Sequence, residues 1–444
     1  MLSFIGLFAG LALLVYFAIR GMHLLVAAPL AALVLALTSG LPLFSQLAME
    51  GQASYVASFM EGFTSFFKDW FFMFLLGAIF GKAMENSGAA ESIAHWIISH
   101  IGVKHAALAL VSACAILTYG GVSVFIVAFC VYSMALSLFR QANLPRRFIP
   151  GVIAFGSITF TMTSAGSPEI QNWIPVRYLD TSPYAGWEVS IVVAMFMASV
   201  GYVWMRRMLQ QAVARGEQFE SRETDLVDQE SKSLPHPLLC TVPLIAVLGV
   251  SFFYHQQLGT SALIAALFSG LVLTYLLSHR YFKSLTQPFT EGATGALLAL
   301  ANTCAVVGFG TVAKATPAFA DVVQILTSMP GGGLLGAAVA ITVICGLTGS
   351  ASGGQSIALP LLAPFYVGPD VAPSHQVDPD ALHRVASIAS GGLDSLPHNG
   401  YVVTLIRAIC GESHRDAYGP LAKLTVVVPF FGLILALIGF ALFY

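Results

Sequence analysis

Glycine, proline, hydroxyl and amide side chains gather in four short stretches of an otherwise apolar chain. Their chemistry is hydrogen bonding to a small polar anion, not bond making. The stretches are Thr118-Tyr119-Gly120-Gly121-Val122-Ser123, Thr163-Ser164-Ala165-Gly166-Ser167-Pro168-Glu169 with Asn172 just beyond, Thr348-Gly349-Ser350-Ala351-Ser352-Gly353-Gly354-Gln355, and Gly391-Gly392-Leu393-Asp394-Ser395-Leu396-Pro397-His398-Asn399. Glycine and proline interrupt a helix, and each resumed helix presents free N–H groups whose partial positive charge suits a carboxylate. The candidate substrate contacts are therefore Thr118, Gly120, Gly121, Ser123, Thr163, Ser167, Asn172, Ser350, Ser352, Gly353, Gln355, Ser395 and Asn399. Any single hydroxyl could instead serve helix packing, and Asn172 or Asn399 could cap a helix. Four clusters arranged as two pairs favour a site.

Few ionisable groups lie inside the apolar runs, and a central charge costs at least about 2.5 kcal/mol, so each is a functional candidate. Glu169, Asp394 and His398 are the candidates for proton coupling, imidazole being easily tuned across neutral pH by a nearby carboxylate. The plainer readings are a capping Asp394, a hydrogen-bonded His398 and a Glu169 paired with Arg177. Lys82 and Lys314, at corresponding helix ends, suit snorkelling, and Glu85-Asn86-Ser87 could be a helix cap. Ser352 with His398 and Asp394 superficially offers a nucleophile, base and orienter, but the matching stretch around Tyr119-Gly120-Gly121 has no equivalent serine. The six cysteines show no metal-ligand spacing, and neither a metal nor a cofactor is expected.

The elements that must position these groups follow from composition. At 57% hydrophobic and 9% charged over 444 residues, the chain is an all-α polytopic membrane protein. A net charge of −2 points to lipid as its partner and to no nucleic acid. Apolar runs begin near residue 3 (a retained first span, without the charge or cleavage pattern of a signal peptide) and recur to residue 442. The soluble-looking stretch holds eleven charged residues between 206 and 232, which makes 206–235 a linker between halves 1–205 and 236–444. The halves repeat: the text around Lys82 returns loosely around Lys314, "LTYGGVS" from Leu117 answers "LTGSASGG" from Leu347, and "SPEIQN" from Ser167 answers "LPHNG" from Leu396.

The 34 uncharged residues from Ala106 to Phe139 would make a helix of about 51 Å, against a hydrocarbon core of about 30 Å. A re-entrant hairpin over 106–139, tipped at Thr118 to Ser123, resolves this. A second is expected over 332–367, tipped at Thr348 to Gln355. With about ten spans, two hairpins and both termini periplasmic, sixteen of the 20 basic residues fall on the cytoplasmic side with the linker, leaving Lys68, Arg177, Lys314 and Arg384 outside. Five crossings per half make the repeats inverted. A channel is the competing class; duplication with broken helices favours a carrier.

On "FLLGAIFGKAMENSGAAESIA" from Phe74, "CAILTYGGVSVFIVAF" from Cys114, "FTMTSAGSPEIQNWIP" from Phe160, "GSASGGQSIALPLLAP" from Gly349 and "IASGGLDSLPHNG" from Ile388, nearly the whole chain resembles the gluconate:proton symporter family of the ion-transporter superfamily. The resemblance implies an inner-membrane symporter of gluconate or related short hydroxycarboxylates with protons, working as a homodimer by an elevator-like movement of the hairpin domain. Glu169 departs from the family pattern, which more often has an uncharged residue there and a proline near Ala165. This keeps 3-hydroxybutyrate and other small hydroxy acids as competitors; carbonyls and hydroxyls at the same breaks could ligate sodium, which stays a competing coupling ion.

Overall fold

The computed structural model describes residues 2–20, 22–49, 51–222, 234–319, 321–322, 333–368, 371, 376–397 and 399–444. Every regular element among them is helical. In the first half these are α1 (Leu2–Ile19), α2 (Leu24–Thr38), α3 (Tyr55–Asn86), α4 (Ala89–Ile101), α5 (Ala106–Tyr119), α6 (Val124–Gln141), the short α7 (Ile149–Ala154) and α8 (Ile174–Leu179), and α9 (Trp187–Ala214). The second half holds α10 (Pro237–Leu258), α11 (Ser261–Ser278), α12 (Gln287–Lys314), α13 (Gly333–Thr348), α14 (Ala351–Tyr366), α15 (Pro379–Ser390), α16 (Gly400–Val403), α17 (His414–Ala422) and α18 (Val428–Phe443). The order of long, paired and broken helices is the same in each half.

Six helices among the described residues are long and apolar enough to cross a bilayer unaided: α3, α9, α10, α11 with its short extension to Tyr281, α12, and the continuous run His414–Phe443. The apolar α1 and α2 are shorter. At Tyr55–Asn86, α3 extends past the apolar stretch 63–81 at both ends, taking in Glu61, Lys82 and Glu85 in addition to Lys68 and Asp69 within that stretch.

Both hairpins turn on the same device. At the first, Gly121 (φ 91°) donates to the Thr118 carbonyl and Val122 to the Leu117 carbonyl; at the second, Gly349 (φ 60°) donates to Gly346 and Ser350 to Cys345. This glycine cap satisfies the last carbonyls of α5 and α13 and reverses the chain at once. The expected second tip is longer than the observed one, because the Ser350 hydroxyl accepts the Gly353 N–H at 3.1 Å and starts α14 already at Ala351. Ser352, Gly353 and Gln355 are therefore helical.

Two breaks interrupt what would otherwise be spans. In the first half, α7 runs into a π-helical turn at Phe155–Thr159, then irregular chain leads to α8. In the second half, α15 ends at Ser390 and the chain resumes as helix at Gly400, where the Asn399 side chain accepts the Val402 N–H at 2.9 Å. A π-helical turn follows at Thr404–Ile409. Such turns often mark functional segments.

The long helices α3 and α12 pack against each other along their length, with α2 on α12 and α11 on α3. They meet backbone to backbone, since a Cβ on Gly292 would stand 2.7 Å from Ile79 Cα and one on Gly62 2.8 Å from the Val307 carbonyl. The hairpins and breaks face this pair.

Candidate functional site

The two hairpin tips and the two breaks converge on one cavity of about 650 Å³, closed on the other side by α3 and α12. Gly121 and Ser123 come from the first tip, Ser350 and Ser352 from the second, Glu169 from the first break, and Asp394 and Asn399 from the second. Helix ends meet there, with glycine caps stopping the first arm of each hairpin at its tip.

The second-half pieces are stitched together. Asn399 Nδ2 donates to the Gly349 carbonyl at 3.0 Å while its Oδ1 caps α16, so one amide ties the break to the hairpin tip. Ser350 caps α14, and its hydroxyl lies 3.5 Å from that of Ser352. No described residue stands as a base at the Ser352 hydroxyl. His398 lies outside the described residues.

Several sequence candidates are not among the lining residues. Asn172 is fully buried, with Nδ2 donating to the Ser167 and Pro183 carbonyls at 3.1 and 2.9 Å and Oδ1 accepting from Arg384 Nη1 at 2.8 Å. The Thr163 carbonyl accepts from the same guanidinium, and the Ser167 carbonyl also accepts from the Trp173 indole. Ser395 donates to Thr425, and Gln355 donates to the Ala386 carbonyl with its own Oε1 left without a partner. Thr118 is buried behind the first tip, Gly120 faces Leu244 of α10, and Gly353 abuts Val306. These groups hold the segments that carry the cavity wall; residue type alone did not separate them from the lining.

Arg384 and Arg146, placed at the outer and cytoplasmic surfaces by charge counting, are both buried. Arg384 reaches four acceptors, the carbonyls of Ala185, Thr163 and Pro183 and Asn172 Oδ1, at 2.8 to 3.0 Å. It fastens α15 to the first break. Arg146 pairs with the equally buried Glu412 at 2.8 Å.

Electrostatically the cavity is acidic. The Glu169 carboxylate has no partner among the described residues, since Arg177 instead binds Asp69 at 2.8 Å. Asp394 is 6% exposed and its Oδ1 has no partner. Lys82 faces the cavity rather than the membrane surface, held by Glu85 at 2.8 Å and Glu291 at 3.6 Å. Also lining it are Gln171, Asn302 and Thr303, and buried amide oxygens of Gln171 and Asn302 lack partners. The Asn302-Thr303 pair inside the apolar run 293–313 was the available sequence signal for the α12 wall; Lys82 and Glu291 needed the helix crossing to be seen.

A family model described as "Citrate transporter" (CitMHS) matches residues 14–389. The chain is 36% identical to a Bacillus subtilis (strain 168) protein named "Uncharacterized transporter YxjC", over 94% of each chain. In fold it is similar to Neisseria gonorrhoeae MtrF, reported among a class of antimetabolite efflux pumps, with a TM-score of 0.51 over 95% of each chain at 13% identity. The chain is a multi-pass membrane permease, not an enzyme, and it belongs to the CitMHS citrate transporter family.

Proposed function

We propose that the protein is a secondary carrier that moves a short hydroxymonocarboxylate, of the size of 3-hydroxybutyrate, together with a proton. The observation that carries this reading is the charge of the cavity. Glu169, Asp394 and Glu291 line it, against one lysine already shared between two carboxylates, and no described arginine does. In a site of low effective dielectric an anion is repelled by several kcal/mol unless positive charge enters with it. The Glu169 carboxylate, which has no partner among the described residues, and the unpartnered Oδ1 of Asp394 are the places for that charge. One lysine and the helix ends at Ser123 and Ser350 suit one substrate carboxylate; a tricarboxylate would need several accompanying cations. Met73, Phe74, Phe125 and Leu267 on the wall favour a short carbon chain over a polyol.

Gluconate and citrate form the second reading, supported by the resemblance to gluconate:proton symporters and by the description of the matched family. In this proposal the halves 1–205 and 236–444 are inverted repeats joined by the cytoplasmic linker. The carrier is a homodimer in the inner (plasma) membrane, and the hairpins move against α3 and α12 to alternate access. Counterflow of labelled 3-hydroxybutyrate, lactate, gluconate and citrate in proteoliposomes tests it, with uptake then driven by a pH or a sodium gradient. We expect 3-hydroxybutyrate to exchange fastest and an acid-outside gradient to drive its accumulation. Exchange of gluconate or citrate without 3-hydroxybutyrate would overturn the substrate class, and accumulation driven by sodium alone would overturn the proton.

A further inference from the structure

A second cavity, of about 680 Å³, lies between α5, the first break and α9 on one side and α10 on the other. Its chemistry is the opposite of the central one. No charged residue is among the described residues that line it, and the hydroxyls on its wall are engaged by protein: Thr161 with the Ser157 carbonyl, Ser164 with the Phe160 carbonyl and Thr241 with the Leu238 carbonyl within their own segments, and Ser190 of α9 with the Ala165 N–H and Tyr119 of α5 with the Ala165 carbonyl across to the first break. A water placed there would find few partners, so the space is suited to hydrocarbon. At its mouth stand Ile116, Ile191, Met195 and Ile245, between 45% and 65% exposed on α5, α9 and α10. Because α9 and α10 are both of membrane-spanning length and apolarity, this rim is continuous with the lipid-facing surface. At its inner end Gly120 of the hairpin tip faces Leu244, where an added Cβ would stand 2.9 Å from the leucine side chain.

We propose that this cleft binds one acyl chain of a membrane phospholipid, which covers the irregular backbone of the first break at Phe160 to Ala165. Hydrocarbon can lie against this backbone because protein satisfies its polar groups: the Phe160 carbonyl accepts from Ser164, the Ala165 N–H donates to Ser190 and the Ala165 carbonyl accepts from Tyr119. The inference goes beyond the proposed transport and does not depend on which substrate is carried.

Native mass spectrometry of the full chain, released from detergent after incubation with phosphatidylglycerol, counts the retained lipids. Ala194→Trp fills the cleft from α9, Ala115→Leu fills it from α5, and Val192→Trp adds the same bulk on the outer face of α9, away from the cleft. We expect the wild type and Val192→Trp to retain one more phospholipid than either cleft variant. Should Ala194→Trp fail to fold, Ala115→Leu decides. Equal lipid numbers in all folded forms, or a cleft that retains detergent and no phospholipid, would overturn the proposal. Failure of every acid in the counterflow panel would overturn the transport reading and leave the lipid count standing.

Discussion

Asp394 and Glu169 carry the burden at the scale of single residues, because each brings to the cavity a carboxylate oxygen with no partner among the described residues. Removing the titratable oxygen while keeping the shape separates binding from coupling. Asp394→Asn and Glu169→Gln should retain counterflow and lose accumulation against a pH gradient; if both still concentrate substrate, neither carries the proton. Arg384 acts differently. It lines neither of the two cavities described, and its four acceptors are buried with it. Arg384→Met should destabilise the solubilised protein by at least about 3 kcal/mol, since buried acceptors left bare cost roughly 1 to 3 kcal/mol each, with Tm falling even where expression survives. A Tm within error of wild type would show that the guanidinium is not the fastening it resembles.

At the scale of elements, the second hairpin and second break are one unit because Asn399 bridges them. Ser350→Ala removes a helix cap, at about 1 kcal/mol, and one hydroxyl from the cavity wall while leaving the helix end in place, and should slow counterflow modestly. Asn399→Ala removes a cap and the bridge together, and counterflow should fall far more at similar expression. Equal effects of the two would mean that the bridge is incidental.

The charged stretch after α9 makes a comparable clasp. Glu217 takes two bonds from Arg147 at 2.7 and 2.9 Å, and Arg222 joins Glu412 at 3.0 Å. The Arg147 bond holds the Glu217 carboxyl below its ordinary range. A depressed folded value means the clasp contributes fully above the unfolded value of about 4.3 and loses its contribution as pH falls below it. Limited proteolysis of the solubilised protein should therefore cut near the clasp faster as pH drops below about 4.3, and Glu217→Gln should cut fast at every pH. A wild-type rate that does not change with pH would remove the clasp from the account.

Over the whole molecule, the same order of long helix, hairpin and broken helix occurs in both halves, and the acidic cavity sits where the two halves meet. If the copies are inverted, the termini lie outside and the linker inside. Single cysteines placed at Ser3 and Ser221 in a cysteine-free background should react with a membrane-impermeant maleimide from opposite sides of intact cells. Labelling of both from one side would sink the inversion and the topology with it.

Much was legible in the sequence itself. Composition required helices in lipid, because only internally hydrogen-bonded backbone survives there. A run too long for one span and too short for two marked the first hairpin, and glycine at the turn marked its tip. Glu169, Asp394 and Asn399 stood out as polar groups in apolar runs, and all three reach the cavity. What the chain order could not convey was which polar groups face the cavity and which face each other. Asn172 and Ser395 are of the same type as Asn399 and Ser350, yet they bond inward to Arg384 and Thr425. Nor did it show that Lys82 and Glu291, distant in sequence, would meet where α3 crosses α12. Periodicity and composition are local and survive in one dimension; the direction of a side chain, and so the charge of the cavity, is set only by packing across the two halves.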